Sequence, residues 1–333
     1  MDRRDFMKIV GSTAVGALVL SVVGRSVWNM FKHPDKLFYD SKRTKGISLL
    51  REDGDFVSPY RRTFGFVVPD EICALEVEGG SIFVAIPNNI FVYGLSGELQ
   101  TNFSTPSDLR DMAVADGRIY ALFPSRIEVY DRQGEVVQQW EACSETSDYC
   151  GLAVCEEGVF VTDAGDKNIC KFNMDGTLAR FIQSPEGFIV PSYSFGITYL
   201  DGKIYCSNPG RHRVESYSTE GEYLSSFGKV GTEAGAFSGC CNPVIITPAN
   251  NGELLTSEKG IPRISCYSLD GEFRSILLDS KALGGGHSAY DVRVMKDKLI
   301  VAGGDKVSIY QYDRRQSQQT ACGQCDKDCP LKI

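Results

Sequence analysis

Histidine is nearly missing from these 333 residues: His33, His212 and His287 are the whole complement. A zinc site built on several imidazole ligands needs more than that. Clusters of positive charge are missing too. Thirty-five lysines and arginines stand against 43 acidic residues, for a net charge of −8, and no basic run is interleaved with aromatics. Both features argue against a nucleic-acid partner. No nucleophile and base stand at a recognisable spacing, which weighs against a hydrolase or lyase. The apolar run from Ile9 to Gly24 is followed by no cysteine, which argues against a lipoprotein, and by no Ala-x-Ala site. An uncleaved anchor is then expected, although the run is short for a spanning helix.

What the chain has in quantity is a repeat. Gly151 to Val154, Gly158 to Asp163 and Asn168 to Phe172 read as three short strands, and Asp175-Gly176 as the turn before a fourth. Glycine at that turn allows the positive φ that a tight hairpin requires. The turn recurs as Ser96-Gly97, Gln133-Gly134, Glu220-Gly221 and Asp270-Gly271, at intervals of roughly 40 to 50 residues. The third strand recurs as well, each time with an aliphatic residue three positions before an aromatic. The copies begin at Ile90, Ile127, Ile169, Val214, Ile264 and Val307. A row of six such sheets left open would expose bare strand edges, whereas radial closure removes most of them. The expected fold is all-β, a six-bladed propeller over residues 63–313. The sixth copy ends at Tyr310-Gln311-Tyr312-Asp313 without a fourth strand. Thr63 to Val68 precedes the first copy and is predicted to supply it, closing the ring.

Thr162-Asp163-Ala164-Gly165-Asp166-Lys167-Asn168-Ile169 resembles the NHL repeat, and Phe227-Gly228-Lys229 to Ala236-Phe237 resembles that family's inter-blade linker. The resemblance is closest in blades three to five. It implies a propeller and hardly constrains function, since propellers host many chemistries. Gly239-Cys240-Cys241-Asn242-Pro243 together with Thr256 to Gly260 looks like an exported bacterial subgroup of NHL-like proteins. A zinc lyase on this fold would want several histidine ligands, and the ring offers only His212 and His287.

Arg3-Arg4-Asp5-Phe6-Met7-Lys8 is similar to a twin-arginine (Tat) export signal, with Asp2 and Met7 in place of the usual residues. Residues 1–24 are read as that signal or anchor, 25–62 as a tether and 314–333 as a tail. The expected location is the periplasm, on the membrane. Tat export carries folded proteins, often with a cofactor already loaded, which is what that resemblance implies.

Antiparallel alternation sorts the loops onto two faces. Loops leading into each first strand, and those between second and third strands, share the mouth of the central channel. The Asp-Gly turns lie on the other face. Cys143, Cys150, Cys240, Cys241, Asn242, Glu258, Lys259, His287 and Asp291 are therefore expected near the mouth, with Asp111 at the start of blade two. Adjacent cysteines such as Cys240 and Cys241 form a strained disulfide, hold a metal as thiolates, or pack as small apolar side chains. His287 follows three glycines and reads either as ligand-facing or as plain loop. Cys73, Cys155, Cys170, Cys206 and Cys266 fall in or beside strands and read as core.

The tail carries Cys322-x2-Cys325-x3-Cys329-Pro330, similar to the last three cysteines of a bacterial ferredoxin run, with Gln319 where the first would stand. Close thiolates repel, and a bound cation offsets this. Three functions follow. The first is an exported, membrane-tethered propeller with an iron–sulfur cluster or other thiolate-bound metal on Cys322, Cys325 and Cys329, and a second redox or ligand pair in Cys240 and Cys241, acting with a protein partner. The second is a cofactor-free module that grips a protein or small ligand at the mouth. The third, ranked last, is a hydrolase or lyase using Asp291, His287 and Glu258.

Overall fold

The computed structural model describes residues 58–249 and 252–313. The signal, nearly all of the tether, and Cys322, Cys325 and Cys329 lie outside the described residues.

Within them the chain forms six four-stranded antiparallel sheets. Blade one is β2 (Ala74–Glu78), β3 (Ser81–Ile86), β4 (Asn89–Gly94) and β5 (Leu99–Ser104). Blade two is β6 (Asp111–Ala115), β7 (Arg118–Phe123), β8 (Arg126–Tyr130) and β9 (Val136–Glu141). Blade three is β10 (Tyr149–Cys155), β11 (Gly158–Asp163), β12 (Asn168–Phe172) and β13 (Leu178–Ile182). Blade four is β14 (Ile197–Leu200), β15 (Lys203–Asn208), β16 (Arg213–Ser218) and β17 (Tyr223–Phe227). Blade five is β18 (Ile245–Pro248), β19 (Glu253–Glu258), β20 (Arg263–Ser268) and β21 (Phe273–Leu278). A single helical turn, α1 (Ser280–Leu283), leads to blade six: β22 (Asp291–Met295), β23 (Lys298–Gly303) and β24 (Lys306–Tyr312).

The fourth strand of blade six is β1 (Tyr60–Val67), as predicted. It pairs antiparallel with β24, Phe64 opposite Ile309 and Phe66 opposite Val307, with a bulge between Arg62 and Phe64. The strand starts at Tyr60, three residues into the segment read as tether, because Tyr60 opposite Tyr312 extends the ladder. Their rings meet edge to face at 5.4 Å.

Second and third strands are buried on both faces, while outer strands such as β13 are exposed along most of their length. The cores lie between blades: Ile300, Val307 and Ile309 of blade six pack on Leu75, Ile82 and Val84 of blade one. The turn glycines take part. Gly176 has φ +87°, and a Cβ there would come within 2.3 Å of Trp140 on blade two. Only glycine fits both the turn and that approach.

A carboxylate recurs inside the blades. In blade two Arg126 Nε donates to Glu128 Oε1 at 2.8 Å, and Tyr130 donates to the same carboxylate. In blade four Arg213 and Tyr217 treat Glu215 the same way. Blade five keeps the arginine and tyrosine but has Ser265 in place of the glutamate. There the carboxylate comes from the adjacent strand: Glu258 Oε1 accepts from Arg263 Nε at 2.7 Å and Oε2 from an Arg263 terminal nitrogen at 2.9 Å.

Candidate functional site at the channel mouth

That exchange corrects one expectation. Glu258 does not face the mouth; its side chain is fully buried against Arg263, itself 2% exposed. An unpaired carboxylate could not stay charged there, so burial pushes Glu258 up and the Arg263 guanidinium pulls it back. His287 is exposed on its loop, and its backbone carbonyl accepts from Gly260 N at 2.8 Å. With Glu258 inside the blade and His287 outside the cavity lining, Asp291, His287 and Glu258 form no common site.

Asp291 lines a cavity at the centre of the ring, in a group the sequence only half disclosed. The innermost strands of blades two and six both begin with aspartate. Asp111 accepts Met112 N and, through its second oxygen, Leu152 N of blade three, both at 2.8 Å. Asp291 accepts Leu75 N of blade one at 2.9 Å. Each carboxylate thus ties its blade to the next. In blades three and four glycine takes the corresponding place, because the neighbouring backbone fills it. A Cβ on Gly196 would come within 2.4 Å of Val244 O.

Two residues after Asp291, on the same side of the strand, is Arg293. Its Nε donates to Glu76 Oε1 at 2.9 Å and a terminal nitrogen to Thr247 Oγ1 at 3.1 Å. The same terminal nitrogen also bonds the Asp291 carboxylate. These side chains keep 16% exposure at Arg293, 22% at Glu76 and 13% at Asp291, because they face the channel from deep inside the ring. Burial dominates their acidity. Asp111 is pushed from 3.8 up to about 7 despite the pull of Arg293. Asp291 and Glu76 move the same way for the same reason. Arg293 and Glu76 were not singled out from the sequence. The available signal was a charge flanked on both sides by apolar residues in each innermost strand, Leu75-Glu76-Val77 and Val292-Arg293-Val294.

Above this floor lies a cavity of about 190 Å³, lined by Arg110, Asp111, Tyr193, Asp291 and Arg293 among others. Arg110 is paired with Asp148, donates to Tyr149 O at 2.7 Å, and stands 5.6 Å from the centre of the Tyr193 ring. Tyr193 is 64% exposed at the rim. Ser192 and Tyr193 both have left-handed backbone, with φ of 59° and 56°. Two such residues in succession, neither of them glycine, are strained.

The strained turn touches the cysteine pair. Cys240 is exposed and Cys241 is 6% exposed. Their sulfurs lie 3.1 Å apart as free thiols. Asn242 holds the loop: its amide donates to Ser238 O at 2.7 Å and Lys259 O at 2.8 Å, and its oxygen accepts Lys259 N at 2.8 Å. Lys259 Nζ in turn donates to Ser194 Oγ at 3.0 Å, and the Cys241 thiol reaches Ser192 Oγ at 3.5 Å. Burial would raise Cys241, but hydrogen bonds with Ser192 and Cys240 and the Lys259 ammonium outweigh it, leaving the thiol below its ordinary value. The hydrogen bond to Cys241, followed by burial, pushes Cys240 the other way. Of the two sulfurs, Cys241 takes the negative charge.

A hydrogen bond with Cys170 holds Cys143 below its ordinary value as well, but other thiols go the other way. Cys150 lines the cavity, yet burial pushes it up to about 12; Cys73 and Cys266 reach the same value. Cys73 and Cys266 pack against the blade cores, as their strand positions suggested, whereas Cys150, expected near the mouth, is a protonated thiol in the cavity wall. Among the described residues, no three His, Cys, Asp or Glu side chains come together as a metal site.

No family model and no curated protein matches the chain. Solved structures do. Virginiamycin B lyase from Staphylococcus aureus is similar over 76% of this chain and 99% of its own, at 14% identity and a TM-score of 0.53. A streptogramin B lyase covers 76% of this chain and 97% of its own, at 16% identity and 0.53. A Bacteroides thetaiotaomicron protein of unknown function covers 76% of this chain and 72% of its own, at 14% identity and 0.55. At such identities the likeness is one of fold: the chain is a six-bladed β-propeller.

Proposed function

We propose that this is an NHL-type propeller, exported through a twin-arginine signal and tethered to the membrane, which exchanges electrons with a protein partner through Cys240 and Cys241. The observation that carries the reading is the thiol pair itself: two free sulfurs 3.1 Å apart, one exposed and the other acidified beside Lys259. A lowered pKa marks the sulfur that ionises and solvent access the sulfur a partner can reach, and here the two properties sit on adjacent cysteines. The exposed Cys240 meets the partner's disulfide, passing its proton to the adjacent Cys241 thiolate as it attacks, and Cys241 then sheds that proton and resolves the mixed disulfide. On the same reading Cys322, Cys325 and Cys329 hold a thiolate-bound metal or iron–sulfur cluster as a separate centre.

The test is exchange with a model disulfide by the full chain purified without oxygen, alongside metal analysis and the visible spectrum. Cys240→Ser and Cys241→Ser should each abolish dithiol exchange, and the triple serine variant of the tail should keep it. Exchange that survives Cys240→Ser would refute the assignment. A colourless, metal-free protein would remove the tail centre alone.

The alternative is a cofactor-free module that binds a protein or small ligand at the mouth, and the cavity beside exposed Tyr193 favours it. Under that reading the cysteine variants leave binding unchanged. A lyase activity ranks last. A catalytically inactive virginiamycin B lyase with quinupristin is among the similar solved structures, and its likeness to this chain is one of fold.

A further inference from the structure

The thiol pair and the channel cavity are joined by one short stretch, Ser192-Tyr193-Ser194. Ser192 contacts Cys241, Ser194 contacts Lys259, and Tyr193 between them forms part of the cavity rim. Three elements of two blades thus meet on a backbone that is strained at two consecutive residues. Strain of this kind persists only while surrounding contacts hold it, and it gathers at switches and clamps. The contacts here are few. Ser192 makes its hydrogen bond to a sulfur, and Ser194 makes one to a lysine whose other neighbour is that same sulfur.

We infer that Cys240 and Cys241 form a redox latch on this turn, so that joining them as a disulfide frees Ser192-Tyr193-Ser194 and changes access to the cavity. The inference rests on the reading of the pair as an exchanging dithiol. With oxidised glutathione as oxidant the step balances as follows. Cys240 passes its proton to the Cys241 thiolate 3.1 Å away as it attacks one glutathione sulfur and expels the first glutathione thiolate. Cys241 gives that proton up to the departing thiolate. The Cys241 thiolate then displaces the second from Cys240. One protein S–S bond forms and one glutathione S–S bond breaks. The two electrons given up by the cysteines leave with the two glutathione sulfurs, one of which carries away the Cys240 proton while the other leaves as a thiolate that solvent protonates. The sulfurs must approach from 3.1 Å to a bonded separation of roughly 2 Å. Cys241 then has no proton to give and no charge for Ser192 or Lys259 to meet. The turn loses the sulfur partner of Ser192 and keeps only the Lys259 bond at Ser194, and Tyr193 between them loses its fixed position over Arg110.

The experiment is hydrogen–deuterium exchange on the full chain, reduced and then oxidised with glutathione disulfide, with peptide mapping to identify the Cys240–Cys241 link. Amides of residues 192–194 should exchange about tenfold faster after oxidation, while those of β14 hold steady. Ser192→Ala, still reduced, should already exchange at the faster rate. Cys240→Ser should show no change with oxidant. A mapped Cys240–Cys241 link with unchanged exchange at 192–194 would overturn the latch and leave the dithiol reading standing. Failure of that link to form at any glutathione ratio would overturn both.

Discussion

The two sides of the channel solve one problem in opposite ways. Around blades six, one and two, buried charge is matched by charge: Arg293 bridges Glu76 and Asp291, and Asp111 and Asp291 direct their oxygens to the backbone of the next blade. Between blades four and five the polar groups are a thiol, two hydroxyls and an ammonium on loops, held by few bonds over a strained turn. The first region is locked because removing any partner leaves a charge in a place water hardly reaches. The second is held through Cys241, a group that can lose its proton and that, on the proposed latch, lets go of the turn when it joins Cys240. The propeller thus has a rigid wall and a responsive corner on a single mouth.

The contrast is sharpest under mutation. Arg293→Met should destabilise the fold by about 3–5 kcal/mol, since it strands Glu76 and Asp291 without a counter-charge. Lys259→Met, at the corner, should cost less than about 1 kcal/mol in the same denaturant titration, because its ammonium makes only partly exposed hydrogen bonds, to Ser194 and to the Cys241 sulfur. Comparable losses would mean that the two regions are not built differently.

Acidity divides them next. Asp111 has its folded pKa raised from 3.8 to about 7. The folded state therefore holds this proton more tightly than the unfolded chain does. Its stabilising contribution is complete below about pH 4 and is lost as pH rises to about 7. Asp291 and Glu76 shift in the same direction and add to the slope. Stability measured from pH 4 to 7 should fall along this component, and Asp111→Asn should flatten it. A slope that Asp111→Asn leaves untouched would place the titration elsewhere.

The smallest effect belongs to the corner. Lys259→Met should move the pH midpoint for alkylation of the Cys240–Cys241 pair upward, by less than about one unit, because one cation among several influences is removed. Alkylation of buried Cys206 in the folded protein should stay negligible throughout.

Much of this was legible in residue order. The recurring Asp-Gly turns and the aliphatic–aromatic third strands announced six sheets, and the unmatched Thr63 to Val68 announced the closing strand, found as β1. The adjacency of Cys240 and Cys241 was legible as well, being covalent. Arg293 with Glu76 was not: the two are 217 residues apart and meet only because blade six closes on blade one. Glu258 misled for a related reason. It reads as a loop residue at a strand end, and its role depends on Ser265 having displaced the glutamate that blades two and four carry on the third strand.

Residue order alone settled the number of sheets, the way the ring closes and which cysteines are neighbours. All of these follow from local backbone preference and a short-range pattern repeated along the chain. Which cysteine bears charge, which carboxylate faces the channel, and which turn lies over it were decided only once the blades closed. Burial and the electric field at a side chain depend on neighbours that the ring brings in from hundreds of residues away.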